Sequence, residues 1–213
     1  MFADRTDAGV RLAGALEHLR GQEVVVLGLP RGGVPVAWQV ARALAAPLDV
    51  IVVRKLGVPD QPELAMGAIG EGGVRILDTD VLARARVSDA ALAAVEERER
   101  RILADRVATI RARHERIDLR GRTVVIVDDG VATGSTARAA GVTSRALGAA
   151  RVVLAVPVAP AGAAGWTGAD EFVCLSMPAG FLAVGYHYRD FSATSEQEVM
   201  DLLDTAAQRQ LWG

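Results

Sequence analysis

Two adjacent carboxylates, Asp128 and Asp129, end an apolar run, and a short loop rich in hydroxyl groups follows them. Because they are negatively charged, these side chains suit the hydroxyl groups of a sugar, or Mg2+ bound directly or through water, but not a phosphate. The loop does suit a phosphate, because Thr133, Ser135 and Thr136 offer hydroxyl donors and the first amides of a following helix are unpaired. A ribose 5-phosphate, which carries a phosphate beside vicinal hydroxyl groups, matches both halves.

The segments around these residues indicate how the fold would position them. Residues 124–127 are all β-branched, which predicts a strand buried on both faces. Gly130 and Gly134 allow a tight turn and a close approach of the backbone to a ligand. A helical pattern then covers about residues 137–147. A strand, a loop and a helix in this order are typical of a ligand site at the carboxyl end of a parallel sheet.

The pattern Asp-Asp-x-x-x-Thr-Gly-x-Thr over residues 128–136 resembles the phosphoribosyl-pyrophosphate (PRPP) motif of the type I phosphoribosyltransferases. The resemblance implies that the acidic pair holds the ribose hydroxyls and that the loop holds the 5-phosphate. The PRPP-binding residues that it implies in this stretch are Asp128, Asp129, Gly130, Val131, Ala132, Thr133, Gly134, Ser135 and Thr136. The alternative is an ordinary strand, turn and helix with acidic surface residues.

A second glycine-containing loop follows the first predicted strand, which covers residues 23–29. Gly32 and Gly33 free backbone amides for an anion, and Arg31 adds a fixed charge with a fork of donors. In the resembled family, the loop after the first sheet strand binds the pyrophosphate of PRPP and often contains a cis peptide bond. Either peptide bond of Pro30 could be the cis bond. Taken alone, this loop could equally be a surface turn.

Arg54 and Lys55 follow a predicted parallel strand over residues 48–53, and could neutralise departing pyrophosphate. Residues 56–69 contain several glycines and prolines and predict a long flexible loop. A reaction of PRPP must exclude water, so we expect this loop to act as a lid. An inert hairpin loop is the alternative.

Aromatic residues cluster in the C-terminal part of the chain, where the pattern is less regular. In the resembled family a variable hood holds the acceptor base, often by stacking on an aromatic ring. Phe181, Tyr186 and Tyr188 are therefore the candidates for the acceptor pocket. A small satellite core under a loop is the alternative. A closing helix is predicted over residues 195–208.

The whole chain of 213 residues suits a single α/β domain. Alternating strands and helices predict a central, mostly parallel sheet with helices on both faces. The core would cover about residues 20–175, a helical crossover about 79–116, and a small C-terminal hood about 176–213. The crossover carries mixed charge typical of a solvated helix, and its incomplete apolar stripe leaves room for a homodimer contact. Two further helices are predicted. One covers residues 7–19, with Thr6 or Asp7 as its cap, and a short one covers residues 161–166.

Composition excludes several function classes. Lys and Arg total 24 against 26 Asp and Glu, a formal net charge of -2, which argues against a nucleic-acid partner. The single cysteine, Cys174, excludes an internal disulfide. No charged and then apolar leader opens the chain, and no apolar run is long enough to span a bilayer. We therefore expect a soluble cytoplasmic protein without a membrane partner.

The resemblance implies a PRPP-dependent pentosyltransferase of nucleotide metabolism with Mg2+ as cofactor. It would transfer the 5-phosphoribosyl group to a nitrogenous base, with a purine-like base as the preferred class, and release pyrophosphate. The implied catalytic residues are Arg31, Arg54, Lys55, Asp128 and Asp129, and the last two are also the implied metal ligands. A non-catalytic regulatory protein that senses PRPP or a nucleotide is the alternative. A generic nucleotide-binding module fits less well, because the glycine loop lacks the lysine of a phosphate-binding NTPase loop and the Gly-x-Gly-x-x-Gly pattern of a dinucleotide fold.

Overall fold

The computed structural model describes residues 1–163 and 168–210, so the second half of the helix predicted over residues 161–166 lies outside this part. The helices are α1 (Arg5–Ala15), α2 (Gly33–Leu44), α3 (Thr79–Arg84), α4 (Asp89–Arg111), α5 (Ser135–Ala146) and α6 (Glu196–Gln210). The strands are β1 (Val24–Gly28), β2 (Leu48–Val50), β3 (Val53–Val58), β4 (Gln61–Gly70), β5 (Val74–Leu77), β6 (Thr123–Val127), β7 (Arg151–Val158) and β8 (Glu171–Ser176). No helix in the described part of the chain is long and apolar enough to cross a membrane.

Five parallel strands form the central sheet, in the order β2-β1-β6-β7-β8. The predicted parallel sheet with helices on both faces is therefore confirmed. From β1 the chain passes through α2 to β2 at one edge, whereas from β6 it passes through α5 to β7 in the opposite direction. The strand order thus reverses between β1 and β6, which is the place where open α/β sheets bind ligands.

The three inner strands β1, β6 and β7 each supply side chains to two separate hydrophobic cores. In β1, Val24 and Val26 belong to the core that includes residues of α1, α2, α4 and α6. Val25 and Leu27 belong to the opposite core, which includes residues of α5. All four side chains are almost completely buried. Burial on both faces explains why these strands have continuous apolar sequences rather than alternating ones.

The register of the sheet brings two loops together. Gly28, the last residue of β1, pairs with Val127, the last residue of β6. One step further, the amide of Leu29 donates a hydrogen bond of 2.9 Å to the carbonyl oxygen of Val127. The loop that contains Arg31 and the acidic pair that begins at Asp128 therefore leave the sheet side by side.

The prediction of a flexible loop over residues 56–69 is wrong. This segment belongs to the antiparallel strands β3 and β4, which form a second sheet with β5. Leu56 and Val58 are buried, which anchors β3 in the larger core. The glycines that predicted a loop permit close strand pairing instead. A Cβ atom on Gly57 would lie 2.5 Å from the carbonyl oxygen of Pro62. Whether the hairpin moves as a lid stays a prediction.

Helix α1 begins earlier than predicted, and its cap is Asp4 rather than the residue at 6 or 7. The Asp4 side chain accepts a hydrogen bond of 2.8 Å from the amide of Asp7, as is typical of a helix N-cap. The helix ends at Ala15 instead of continuing to residue 19. Arg5 is consequently the first residue of the helix, at the end that faces the site described below.

Candidate functional site

The loop before α5 has the backbone features of an anion site. Gly134 has a φ of 74° and precedes the helix, whose first turn contains neither a side-chain cap nor an acidic residue. The first amides of α5 are therefore available to a ligand and carry the positive end of the helix dipole. The hydroxyls of Thr133 and Ser135 lie 3.2 Å apart at the same end. This arrangement suits a phosphate group.

The residues of this loop differ in accessibility. Ala132, Thr133 and Thr136 are exposed, and Ser135 is half-buried. The two residues before them are buried: Val131 belongs to the core under α5, and Gly130 packs so closely that a Cβ atom would lie 2.5 Å from the side chain of Val184. Among the predicted phosphate-binding residues, Ala132, Thr133, Ser135 and Thr136 therefore have side chains accessible to a ligand, whereas Gly130 and Val131 anchor the loop.

The acidic pair lies half-buried directly after β6. The amide of Asp129 donates a hydrogen bond of 2.9 Å to Oδ1 of Asp128. Oδ2 of Asp129 accepts from Nε of Arg5 at 2.8 Å and lies 2.8 Å from an Nη atom of the same guanidinium. Asp128 has no ion-pair partner among the residues that the structure describes. The two carboxylates of the motif thus have different surroundings.

Burial raises the pKa of the Asp128 carboxyl well above its usual range, and the negative charge of Asp129 adds to this effect. Burial also raises the pKa of Asp129, but Arg5 opposes that shift through its charge and its hydrogen bond. A buried carboxylate is stabilised by ligands that donate hydrogen bonds or carry positive charge. Sugar hydroxyls and Mg2+ are ligands of this kind.

The glycine-containing loop after β1 packs against the acidic pair. A Cβ atom on Gly32 would lie 2.1 Å from Oδ2 of Asp129, and one on Gly33 would lie 2.9 Å from Cα of Asp128. The peptide bond between Pro30 and Arg31 is cis, which decides between the two bonds that the sequence left open. The structure therefore brings together the two segments that the sequence assigned to one ligand.

The three basic residues assigned to the leaving group lie in different surroundings. Arg31 is exposed and has no ion pair or side-chain hydrogen bond within the described part of the chain. Arg54 donates to a carboxylate oxygen of Glu99 at 2.7 Å, and Lys55 lies 3.1 Å from a carboxylate oxygen of Glu63 across the β3–β4 hairpin. Arg31 and Arg54 border the same cavity, whereas Lys55 does not.

Two cavities flank these loops. The larger cavity, of about 650 Å³, lies between strand β4 and the loop before α5. Leu64 lines it on the side of β4, and Thr133 and Ser135 line it on the side of the loop. The smaller, of about 350 Å³, extends from Arg31 between α4 and α6, where Met200 contributes to its wall. The larger volume is of the size of a small-molecule site.

The aromatic residues predicted for the acceptor pocket are divided between core and surface. Tyr188 is 6% exposed and packs against Phe2, with ring centroids 5.4 Å apart, so the satellite core considered as an alternative exists around Tyr188. Its hydroxyl donates a hydrogen bond of 2.6 Å to the carbonyl oxygen of Asp129. Phe181 stacks on His187, and Tyr186 is 70% exposed. The assignment of Phe181, Tyr186 and Tyr188 to an acceptor stays a prediction.

Sequence reasoning missed Arg5 as a residue of the site. One signal was available: a cation in the first turn of a helix opposes the helix dipole, which points to a partner outside that helix. The capping residue Asp4 had to be identified first, and the partner Asp129 lies 124 positions away. The contact of Tyr188 with the acidic pair was missed for the same reason, because nothing near residue 188 in the sequence indicates it.

A turn that suits a phosphate and an acidic pair, both at the switch point of a parallel sheet, are typical of α/β proteins that bind a sugar phosphate or nucleotide at the carboxyl edge of the sheet. Comparison with protein families makes this more specific. The model of the phosphoribosyl transferase domain matches residues 11–188, which include both loops. The chain belongs to the phosphoribosyl transferase domain family.

Relatives agree with this assignment. Two proteins of Mycobacterium tuberculosis, Rv0571c and MT0597, are each 57% identical to this chain over 210 residues, and the match covers 97% of this chain. Both are named provisionally as phosphoribosyl transferases. The chain spans about half the length of these curated relatives, 47%. TT1426 from Thermus thermophilus is 45% identical in sequence to this chain. Its crystal structure superposes on this chain with a TM-score of 0.84, over 95% of this chain and 97% of that chain.

Proposed function

We propose that this chain transfers the 5-phosphoribosyl group of PRPP to a nitrogenous base and releases pyrophosphate. One observation carries the proposal: Gly32 of the Arg31 loop lies against the carboxylate of Asp129, so the loop assigned to pyrophosphate meets the acids assigned to ribose. In PRPP the pyrophosphate is attached to the anomeric carbon of the ribose, so its two binding segments must lie side by side. The uncapped amides of α5 follow on the other side of the acids and support binding of the 5-phosphate.

The proposed reaction needs no nucleophile from the protein. Cleavage of PRPP builds positive charge on the ribose and negative charge on the leaving oxygens, and the base nitrogen attacks the anomeric carbon. The chain must orient the sugar, stabilise the leaving pyrophosphate and exclude water. Arg31 is exposed and unpaired among the described residues, which supports a role with the leaving group. Arg54 borders the same cavity and could assist, whereas the pairing of Lys55 with Glu63 makes it the weaker candidate.

The acidic pair fits a magnesium ion in the chemistry of its donors, because Mg2+ prefers carboxylate oxygens and water. The described residues contain no cluster of three or more His, Cys, Asp or Glu side chains that could hold a metal ion. The protein would therefore contribute Asp128 and Asp129, directly or through water, and the remaining ligands would come from PRPP and solvent. When bound, the ion would neutralise negative charge on the pyrophosphate and help to orient the sugar.

The acceptor is proposed only as a class, a nitrogenous base with a purine-like base preferred. Of the three aromatic residues predicted for the acceptor, Tyr186 and Phe181 have accessible surface, so they could stack on a planar base. Tyr188 is buried and holds the backbone of Asp129, which supports a role in positioning that residue instead.

The proposal is tested by incubating the chain with PRPP, Mg2+ and a panel of nucleobases, and by measuring pyrophosphate release. We expect release with at least one base, and none from the double variant Asp128→Asn, Asp129→Asn. Tight PRPP binding without release for every base would favour the alternative of a PRPP-sensing regulatory protein. Absence of PRPP binding by the folded chain would contradict both.

A further inference from the structure

The side chain of Arg5 crosses from the first turn of α1 to the acidic pair. Its Nε donates a hydrogen bond of 2.8 Å to Oδ2 of Asp129, and an Nη atom lies 2.8 Å from the same oxygen. The ion pair is largely removed from solvent, because the side chain of Arg5 is 12% exposed and that of Asp129 is 15% exposed. A charged pair in such surroundings depends on its partners much more than a pair on the surface does.

The C-terminal segment holds the other side of the guanidinium. The second Nη atom of Arg5 donates a hydrogen bond of 2.6 Å to the carbonyl oxygen of Ser192. The ring of Phe191 lies beneath the guanidinium, with 4.1 Å from Cζ to the ring centroid, which is a cation–π distance. Arg5 is thus fixed from two sides and cannot turn away from Asp129 without losing both contacts.

The same ion pair lies against the loop assigned to pyrophosphate. A Cβ atom on Gly32 would lie 2.1 Å from Oδ2 of Asp129 and 3.2 Å from Nε of Arg5. The carboxylate of Asp129 is therefore confined between Arg5 and the Gly32 turn. Asp128, by contrast, forms no ion pair with the described residues, and its Oδ1 accepts the backbone hydrogen bond from Asp129.

We propose that Arg5 is a positioning residue of the site: it fixes the Asp129 carboxylate against the Gly32 turn and leaves Asp128 as the acid whose charge is available to the ribose hydroxyls or their metal ion. This inference rests on the proposed function and divides the two acids of the motif into a supporting one and a ligand-facing one. Arg5 acts through Asp129 and contacts no reacting atom.

Calorimetric titration with PRPP in the presence of Mg2+ tests the role of Arg5. We expect Arg5→Ala and Arg5→Gln to weaken PRPP affinity by about tenfold to 100-fold, because a charge-assisted hydrogen bond to Asp129 is lost. Arg5→Lys retains the charge and should recover affinity to within about fivefold of the wild type. The matched control is Arg11→Ala, because Arg11 lies on the same helix and forms an exposed pair with Asp7; its affinity should stay within about twofold.

A double-mutant cycle separates positioning from general destabilisation. If Arg5 acts through Asp129, then Arg5→Gln combined with Asp129→Asn should bind PRPP within about threefold of the weaker single variant. Full additivity of the two losses would overturn the inference. Circular dichroism checks the fold of each variant, and Arg5→Gln, which retains a polar side chain larger than that of alanine, carries the test should Arg5→Ala not fold.

Two further outcomes would overturn the positioning role. Wild-type affinity in Arg5→Gln would show that the ion pair does not contribute to the site, although PRPP binding by the wild type would leave the proposed function intact. Tighter binding in Arg5→Gln would show that Arg5 competes with the ribose hydroxyls for Asp129. Failure of the wild type itself to bind PRPP would overturn the proposed function and this inference together.

Discussion

Gly33→Ala is expected to separate the Arg31 loop from the acidic pair. A Cβ atom at this position would lie 2.6 Å from the carbonyl oxygen of Val127 and 2.9 Å from Cα of Asp128. Both contacts are to backbone of β6 or of the residue that follows it, which cannot rotate away as a side chain could. Because carbon–oxygen contacts require about 3.3 Å, the two segments must move apart by roughly 0.7 Å.

The size of the effect follows from a matched control within the chain. Gly14 also lies in a helix, but a Cβ atom there would meet nothing within 4 Å. Gly33 is the first residue of α2 and Gly14 the last but one of α1, so at both positions the gain in helix propensity is below the value of about 1 kcal/mol for a helix interior. The difference between the two variants therefore mainly reports the contact made at Gly33. Overpacking of a close contact costs about 1–3 kcal/mol. We therefore expect Gly33→Ala to have a free energy of unfolding lower than that of Gly14→Ala by about that amount.

Urea denaturation followed by circular dichroism measures this difference, and pyrophosphate release with PRPP and an accepted base measures its functional consequence. A displacement of this size between the Arg31 loop and Asp128 should lower turnover about tenfold to 100-fold, whereas Gly14→Ala should retain wild-type turnover. Equal stability and equal turnover in the two variants would refute the reasoning, because the two loops could then not be in contact.

Three other predictions concern single side chains of the site. Asp128→Asn should raise the free energy of unfolding at about pH 7 while weakening PRPP binding. Burial raises the folded-state pKa of Asp128, so the stability that the protonated carboxyl gives the folded state is lost as pH rises through that pKa. The urea midpoints of wild type and variant should therefore converge near pH 4. Arg31→Ala should reduce turnover far more than affinity for ribose 5-phosphate, as kinetics and calorimetry would measure; equal losses would remove its leaving-group role. Tyr188→Phe removes a hydrogen bond of 2.6 Å to the carbonyl oxygen of Asp129 and should lower the free energy of unfolding by about 1–3 kcal/mol. An unchanged urea midpoint would contradict a role of Tyr188 in holding the backbone of Asp129.

The sequence predicted the parts of the site that depend on local order. The strand, the acidic pair and the loop up to Thr136 are contiguous, and the apolar character of residues 124–127 determines that the strand is buried on both faces. Since parallel strands bring their carboxyl ends to one edge, the Arg31 loop could also be assigned to the same site. These features follow from residue type and periodicity, without knowledge of distant contacts.

The β3–β4 hairpin could not be predicted in the same way. Gly57 and Gly67 are required because neighbouring backbone comes within 2.5 Å of any Cβ atom at either position, yet glycine in a sequence is equally typical of a loop. A register shift next to Gly57 further interrupts the alternation of apolar residues that would have indicated a strand. Tertiary pairing therefore decided the conformation against the local signal.

The side chains that support the acidic pair depend on contacts remote in sequence. Arg5 and Tyr188 reach Asp129 from opposite ends of the chain, and no periodic pattern connects them. Their contribution becomes visible only when α1 and the C-terminal segment are packed at the edge of the sheet. The motif therefore identifies the half of the site that we propose binds the ligand, and the fold supplies the remote residues that contact it.

A crystal structure of the chain with PRPP and Mg2+ is the most direct measurement. We predict that the 5-phosphate accepts hydrogen bonds from the amides of residues 133–136, that the ribose hydroxyls or the metal ion contact Asp128, and that the pyrophosphate lies at Arg31 and Gly32. PRPP bound in the cavity between α4 and α6, with neither its phosphate nor its ribose at these residues, would contradict the central claim.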